Sequence, residues 1–315
     1  MNSDPNPTVQ LPGQWSTVAP DVDWMYMFIF WMSVAFFVAI TGAAIYFVIK
    51  YRRRPGVSAI PTGHNTPLEV TWTIAPVILL AFLFHYGFVG WMKLRVPPPD
   101  AIEIRVHAKK WLWEFEYPNG LRTLTNLHVP VHRPVRLILS SDDVLHSFYV
   151  PQFRIKQDAV PGYYETLWFE ATHRGQADIF CTEYCGTGHS AMLGHVVIET
   201  QAAYDRFLAE GVGPRSGETP AQWGRRLTTE SQCVSCHSAD GAPMTGPTWR
   251  GLFGRTETMA DGTALTVDEN YLRESILQPN AKVVRGFQPV MPSFQGTFQE
   301  RQIDAILAYI RTLHQ

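Results

Sequence analysis

The sequence has few cysteines and no excess of either charge. Its four cysteines form two close pairs, Cys181/Cys185 and Cys233/Cys236. Paired cysteines with histidine close behind favour cofactor binding over a disulfide framework. The formal net charge of -2 gives no electrostatic argument for nucleic-acid binding. Internal repeats and low-complexity tracts are also absent, and 315 residues suffice for two soluble domains plus membrane segments.

The first twenty residues lack the pattern of a secretory signal peptide. Residues 1–20 are polar and rich in proline, without a basic start followed by a short apolar core. Either a signal peptide was removed or the N-terminus crosses a membrane without one, and the sequence leaves both open.

Two long apolar runs follow, and each is long enough to span a bilayer. The first covers residues 24–49 and the second residues 70–92. The basic cluster at residues 50–54 lies between them, which places the connecting loop on the cytoplasmic side. The pattern therefore predicts a transmembrane hairpin with both termini outside.

Short apolar segments, many of them separated by glycine and proline, follow the hairpin. Many short strands with one long connection are typical of a Greek-key barrel or sandwich. The predicted strands are 101–107, 111–117, 133–140, 165–171, 175–180 and 193–200.

The densest group of potential metal ligands lies in residues 181–192, which hold two cysteines, a histidine, a methionine and a glutamate. Thiolate and thioether are soft ligands and imidazole is intermediate, a set typical of copper. Gly186 and Gly188 disfavour a helix and favour a loop that folds its side chains onto one centre. A Cys181–Cys185 disulfide, or a zinc site completed by His189 and a second histidine, would also use these residues.

This segment resembles the dinuclear copper (CuA) loop of cytochrome c oxidase subunit II. Residues 143–151 are similar to the upstream histidine motif of the same family. The resemblance implies a cupredoxin-like fold and a pair of copper ions bridged by the two cysteines. The implied ligands are Cys181, Cys185, His146, His189, Met192 and the backbone carbonyl of Glu183.

The same resemblance implies roles for three further groups. Trp111 matches the tryptophan that receives electrons from cytochrome c. Glu69 matches a carboxylate at the mouth of a proton path into the large subunit. The carboxylate of Glu183 matches a ligand of a magnesium site shared with that subunit. Lys109 and Lys110 depart from the family pattern, and they would not help a cationic cytochrome c to dock.

A second cofactor motif lies near the C-terminus. Cys233-Val-Ser-Cys236-His237 is the attachment motif of a covalent c-type heme, with His237 as the axial ligand. The predicted helices 201–210, 221–231 and 299–313 accompany it, and the last of them resembles the terminal helix of class I cytochromes c. The resemblance implies Met291 as the distal ligand, with Met244 and Met259 as alternatives.

The predicted fold is a two-helix transmembrane hairpin, an all-β cupredoxin-like Greek-key domain and an all-α class I cytochrome c domain. The linker before the last domain would hold the heme at a millimolar effective concentration near the copper site. The predicted divisions are 1–23 as an extracytoplasmic segment, 24–95 as hairpin, 96–210 as copper domain, 211–220 as linker and 221–315 as cytochrome domain.

Together these features resemble subunit II of a caa-type cytochrome c oxidase. The implied function is to pass electrons through heme c and CuA to a large subunit that reduces oxygen to water and pumps protons. Implied partners are subunits I and III, membrane lipid, and a small cytochrome or a quinol:cytochrome c reductase as donor. The implied location is a bacterial inner membrane with the soluble domains outside. A CuA-bearing nitric or nitrous oxide reductase and a copper-handling membrane protein are the alternatives.

Overall fold

A computed structural model describes residues 7–58, 61, 63–211 and 213–313 of the chain. Two long helices come first, a β-domain follows, and a mainly helical domain ends the chain. The helices are α1 (Ala19–Lys50), α2 (Thr66–Arg95), α3 (Gln201–Glu210), α4 (Pro220–Glu230), α5 (Glu269–Leu277) and α6 (Glu300–Thr312).

Helices α1 and α2 are long and apolar enough to cross a membrane, as predicted. Helix α1 begins at Ala19 rather than at residue 24, because Pro20 is compatible with a first helical turn. Helix α2 begins at Thr66 rather than at residue 70. The side chain of Asn65 accepts a hydrogen bond from the backbone N–H of Leu68 there and caps the helix.

The β-domain is built from two five-stranded sheets. The first has the strand order β3-β2-β1-β5-β8 and the second the order β4-β10-β9-β6-β7. The strands are β1 (Ile102–Lys109), β2 (Leu112–Glu116), β3 (Arg122–Leu124), β4 (Asn126–Pro130), β5 (Pro134–Ser141), β6 (His146–Val150), β7 (Ile155–Ala159), β8 (Glu165–Glu170), β9 (Gly175–Cys181) and β10 (Leu193–Glu199).

Pairing within these sheets is mixed. Strand β1 runs parallel to β5, and β10 runs parallel to β4, while the other neighbours are antiparallel. Large side chains such as Trp113, Phe148 and Phe169 fill the core and are fully buried. All six predicted strands are present with shifted ends, and the cupredoxin-like fold is confirmed.

Within the β-domain, the sequence prediction missed four strands: β3, β4, β6 and β7. Strand β3 has three residues, too few to show an alternating pattern. Strand β6 reads His-Ser-Phe-Tyr-Val, and His146 and Ser147 are both buried although polar, so hydropathy does not reveal it. The predicted strand 111–117 is also shorter, because Trp111 lies in the turn that precedes β2.

The C-terminal domain forms where α4 crosses α6 at close range. A Cβ atom on Gly224 would lie 1.9 Å from the carbonyl oxygen of Ala305, so glycine is required at this crossing. Helix α5 and the small hairpin of β11 (Thr256–Thr258) and β12 (Ala264–Thr266) complete the domain. The predicted helices 221–231 and 299–313 correspond to α4 and α6.

Candidate copper and heme sites

Two neighbouring strands position the predicted metal ligands. Strand β9 ends at Cys181, and β6 begins at His146 beside it in the same sheet. The chain then forms a loop and a short 3-10 turn at residues 189–191 before β10, as the two glycines predict. Both thiols are buried and free, with their Sγ atoms 3.8 Å apart.

The remaining predicted ligands surround these two sulfur atoms. The Nδ1 atom of His146 lies 3.8 Å from the Sγ of Cys181, whose sulfur is also 3.3 Å from the carbonyl oxygen of Glu183. The Sγ of Cys185 lies 3.5 Å from the Nδ1 of His189 and 3.9 Å from the Sδ of Met192. Each of the six predicted donor atoms therefore lies within 4 Å of a thiol sulfur.

Charge at the two thiols is divided unevenly. Burial raises the pKa of Cys181. The hydrogen bond with His146 and the backbone groups of Ser147 and Glu183 lower it by a larger amount, so the net pKa is below its usual value. Burial and the negative charge of that neighbour raise the pKa of Cys185. The first thiol therefore ionises more easily than the second, and both offer the soft donor atoms that fit copper.

An aspartate fixes the orientation of the first histidine. The Nε2 atom of His146 lies 2.9 Å from Oδ1 of Asp143. Burial lowers the pKa of His146, but the carboxylate outweighs this effect and raises it overall. Because the carboxylate holds one ring nitrogen, Nδ1 faces the sulfur atoms, as in other metal sites where a second hydrogen bond orients the ligand.

The C-terminal domain contains a cavity of about 360 Å³ lined by Cys233, Cys236, His237 and Met291. The Nδ1 atom of His237 donates to the carbonyl oxygen of Pro247 at 2.7 Å, which leaves Nε2 available as an iron ligand. The described lining includes Met291 but neither of the two alternative methionines.

Two neighbours hold the His237 ring in place. Its ring stacks on Trp249 with centroids 5.2 Å apart and planes inclined by 11°. A Cβ atom on Gly246 would lie 2.6 Å from the imidazole, so only glycine fits beside it. Burial lowers the pKa of His237, although the carbonyl of Pro247 opposes the change. A neutral imidazole with one free nitrogen fits a heme iron.

Trp111 lies between the copper-ligand loop and the cavity that contains His237. The sequence did not predict this position for the side chain. Its Nε1 atom donates to the carbonyl oxygen of Cys185 at 3.2 Å. The same side chain lines the cavity that holds His237, together with Thr187 and Gly188 of the ligand loop. The residue is half-buried. Residues of the cytochrome domain line the other side of the same cavity.

Two further predicted groups are the side chain of Glu69 and the carboxylate of Glu183. Glu69 is in the first turn of α2, and its carboxylate lies 3.4 Å from the ring of His64. The helix is about 45 Å long, and its other end leads to the β-domain. The Glu183 carboxylate is partly exposed, and Lys156 lies 3.8 Å from it. The backbone carbonyl of Glu183, not its carboxylate, contacts the Sγ of Cys181.

Comparisons with known protein families match three consecutive parts of the chain. Residues 7–89 match the transmembrane domain of cytochrome c oxidase subunit II. Residues 119–201 match the periplasmic domain of cytochrome c oxidase subunit II, and residues 221–314 match cytochrome c.

Similar proteins extend over most of the chain. Cytochrome c oxidase subunit 2 of Alkalihalophilus pseudofirmus is 33% identical over 310 residues, which cover 93% of this chain and 88% of the relative. The protein of the same name from Thermostichus vulcanus is 32% identical over 62% of this chain and 77% of its own length. A crystal structure of the periplasmic domain of subunit II from Bradyrhizobium japonicum is 24% identical, with a TM-score of 0.35, and covers 36% of this chain and 95% of its own.

Proposed function

Because the chain belongs to the cytochrome c oxidase subunit 2 family and carries a fused C-terminal cytochrome c domain, we propose that it brings electrons into a heme-copper oxidase in two internal steps. A donor reduces the cytochrome domain first, and the copper site of the same chain is next. The large partner subunit then receives the electrons, reduces oxygen to water and pumps protons.

The position of Trp111 is the observation that carries this proposal. Its indole contacts the ligand loop through the carbonyl of Cys185 and also lines the heme cavity. A single side chain therefore connects the two cofactor sites, and we assign to it the passage of electrons between them. We divide the chain as the sequence suggested, with 96–210 as the copper domain and 221–315 as the cytochrome domain.

The proposed copper ligands are the residues that converge on the two thiols: His146, Cys181, the carbonyl of Glu183, Cys185, His189 and Met192. For a covalent heme we propose thioether bonds to Cys233 and Cys236, with His237 and Met291 as axial ligands. When bound, the copper pair and the heme supply one-electron chemistry at potentials set by these ligands.

The residues of this chain hold the groups still during electron transfer. Asp143 fixes the ring of His146, and the backbone carbonyl of Pro247 fixes the ring of His237. The core of the β-domain keeps the ligand strands β6 and β9 side by side. A stiff ligand cage limits rearrangement when the oxidation state changes, so little activation is needed.

The first test uses the detergent-purified complex without added cytochrome c. It should oxidise ascorbate through a small redox dye, because the heme is tethered to the copper domain. Replacing Cys233 and Cys236 together by alanine should abolish this oxidation, whereas Ser235→Ala should leave it intact. Oxygen consumption that depends strictly on added cytochrome c would contradict the proposal.

The location of the protein and its partner subunits are proposed from the hairpin. The basic residues after α1 favour a loop on the cytoplasmic side, so we propose a bacterial inner membrane with both soluble domains on the periplasmic side. Subunits I and III would pack against the hairpin, and the Glu183 carboxylate would share a magnesium ion with subunit I. A small cytochrome or a quinol:cytochrome c reductase would be the donor.

Glu69 is proposed at the mouth of a proton path, since it lies in the first turn of α2, at the end of the helix that we propose to be cytoplasmic. Glu69→Ala should slow oxygen reduction while copper and heme content remain at the wild-type level, because the residue lies far from both sites. Oxygen consumption by the purified variant, compared with its metal and heme content, checks this. Unchanged turnover would remove the assignment.

A further inference from the structure

The cytochrome domain is joined to the copper domain by a buried interface. Leu112 and Leu124 belong to strands β2 and β3, yet both are buried with the apolar core of the cytochrome domain. The cytochrome residues that share this cluster include Trp223, Leu227, Trp249, Ile303 and Ile306. Separating the domains would expose these apolar side chains to water, which favours the docked arrangement.

A carboxylate lies in the same interface. The side chain of Glu114, two residues after Leu112 on β2, is 1% exposed. Its Oε2 atom accepts a hydrogen bond from the hydroxyl of Thr297 at 2.8 Å, and Thr297 belongs to the cytochrome domain and is itself buried. Within the copper domain, Lys109 donates to the carboxylate at 3.1 Å and Arg122 at 2.9 Å.

This carboxylate remains charged despite its burial. Burial raises the pKa of Glu114, but Lys109, the Thr297 hydroxyl and Arg122 together lower it below the usual value. A buried carboxylate is stable only with several donors around it, and Thr297 supplies one of them across the interface. Lys109, Arg122 and Glu114 are held in the copper domain, so they form a fixed acceptor for that hydroxyl.

We propose that Glu114 is a positioning residue that, with Thr297, fixes the cytochrome domain against the copper domain so that Trp111 stays between heme cavity and ligand loop. This inference rests on the proposed function and adds how the two domains are aligned. Glu114 is three positions from Trp111 in the same chain segment. If Thr297 shifts, the cytochrome residues that line the cavity therefore move relative to the indole of Trp111. Among the described residues, the alignment therefore uses this buried contact, the apolar packing and an exposed hydrogen bond from the Gln232 side chain to the Leu193 carbonyl oxygen at 2.9 Å.

The test compares four variants of the full chain in detergent. Thr297→Val removes the hydroxyl with little change in shape, whereas Thr297→Ser keeps a hydroxyl at this position. Glu114→Gln removes the charge. Glu116→Gln is the matched control, because Glu116 lies on the same strand and contacts Arg122 at 2.7 Å but is not among the partners of Thr297.

Two quantities are measured in each variant. Hydrogen–deuterium exchange reports protection of backbone amides in residues 112–116 and 294–298. Flash reduction of the heme, followed by the absorbance of the copper site, reports electron transfer between the domains. Thr297→Val and Glu114→Gln should both raise exchange in the two segments. Both should also slow copper reduction. Each effect should be about tenfold, as expected when a buried charged group loses a partner. Thr297→Ser and Glu116→Gln should stay close to wild type.

The outcomes separate this inference from the proposed function. If Thr297→Val matches the wild type in exchange and in rate, Glu114 does not position the domain and the inference is overturned. If the heme fails to reduce the copper even in the wild type, while exchange responds to Thr297→Val, the proposed function fails and the contact is upheld.

Discussion

The two lysines before Trp111 show that neighbouring side chains decide whether a charge is available to a docking protein. From sequence alone, both are expected to put positive charge where a cationic cytochrome c would dock. In the structure, Lys109 contacts Glu114 at 3.1 Å and Asp142 at 3.4 Å, so its charge is balanced locally. The backbone N–H of Lys110 donates to Asp143 at 2.8 Å, which ties the turn before β2 to the carboxylate that holds His146.

Gly188 provides a test at the scale of one residue. A Cβ atom there would lie 2.4 Å from Cδ2 of Trp111, so Gly188→Ala must displace the indole or the loop. Because small misplacements of a reacting pair are costly, we expect copper reduction by the heme to slow by about tenfold or more. Flash reduction measures the rate, and the copper EPR signal shows whether the ligands remain in place.

The matched control is Gly213→Ala, where the nearest atom to an added Cβ is the carbonyl oxygen of Glu210 at an ordinary 3.6 Å. An equal rate in Gly188→Ala and Gly213→Ala would show that the position of the indole does not limit electron transfer.

Among the elements, the segment before α4 differs most from its composition. Residues 211–220 read as a flexible linker, but Arg226 of α4 binds the carboxylate of Glu218 at 2.8 Å and the carbonyl oxygen of Gly213 at 2.9 Å. The side chain of Thr219 also caps α4. The described part of the segment is therefore fastened to the helix that follows it, which restricts how far the cytochrome domain can turn.

The crossing of α4 and α6 gives a prediction for folding. Gly224→Ala places a methyl group within 1.9 Å of the Ala305 carbonyl oxygen, so the helices must separate. We expect a loss of about 1–3 kcal/mol or more in the unfolding free energy of the cytochrome domain. Thermal unfolding of the full chain, followed by heme absorbance, measures it. Arg225→Ala, at an exposed position on the same helix, is the control, and equal stability of the two variants would contradict the crossing geometry.

At the scale of the whole molecule, buried ion pairs and hydrogen bonds join the three parts. Arg154 of the β-domain binds Asp23 of α1 at 2.7 Å, and both side chains are largely buried. The indole N–H of Trp168 donates to the carbonyl oxygen of Lys93 near the end of α2 at 2.9 Å. The copper domain is thus fixed to the hairpin on one side and to the cytochrome domain, through Glu114, on the other.

This arrangement predicts how docking depends on pH. The pKa of Glu114 is lowered in the folded chain, so its contribution is present above the unfolded value of about 4.3 and is lost as the pH falls through the lower folded value. We expect exchange protection of residues 112–116, corrected for the intrinsic effect of pH, to hold at neutral pH and to decline below about pH 4. Glu114→Gln should remove this decline, and a midpoint near the pKa of histidine would contradict the assignment.

The sequence by itself predicted the two cofactor sites and determined the order of the parts. Ligand chemistry is local, so the spacing of Cys181, Cys185 and His189 and the Cys-x-x-Cys-His motif predict their sites without a fold. Apolar runs longer than a soluble helix needs likewise predicted α1 and α2, with errors of a few residues at their ends. Strands as short as β3 carry too little pattern to be found in this way.

Only the tertiary structure decided how the two sites face each other. The pairing of Glu114 with Thr297, the closure over Trp111 and the restraint of the linker by Arg226 join residues that are distant in the chain or that have no distinctive motif. Such contacts depend on which surfaces pack together and on which buried charges find partners. A linear pattern does not encode them, because burial is a property of the folded molecule.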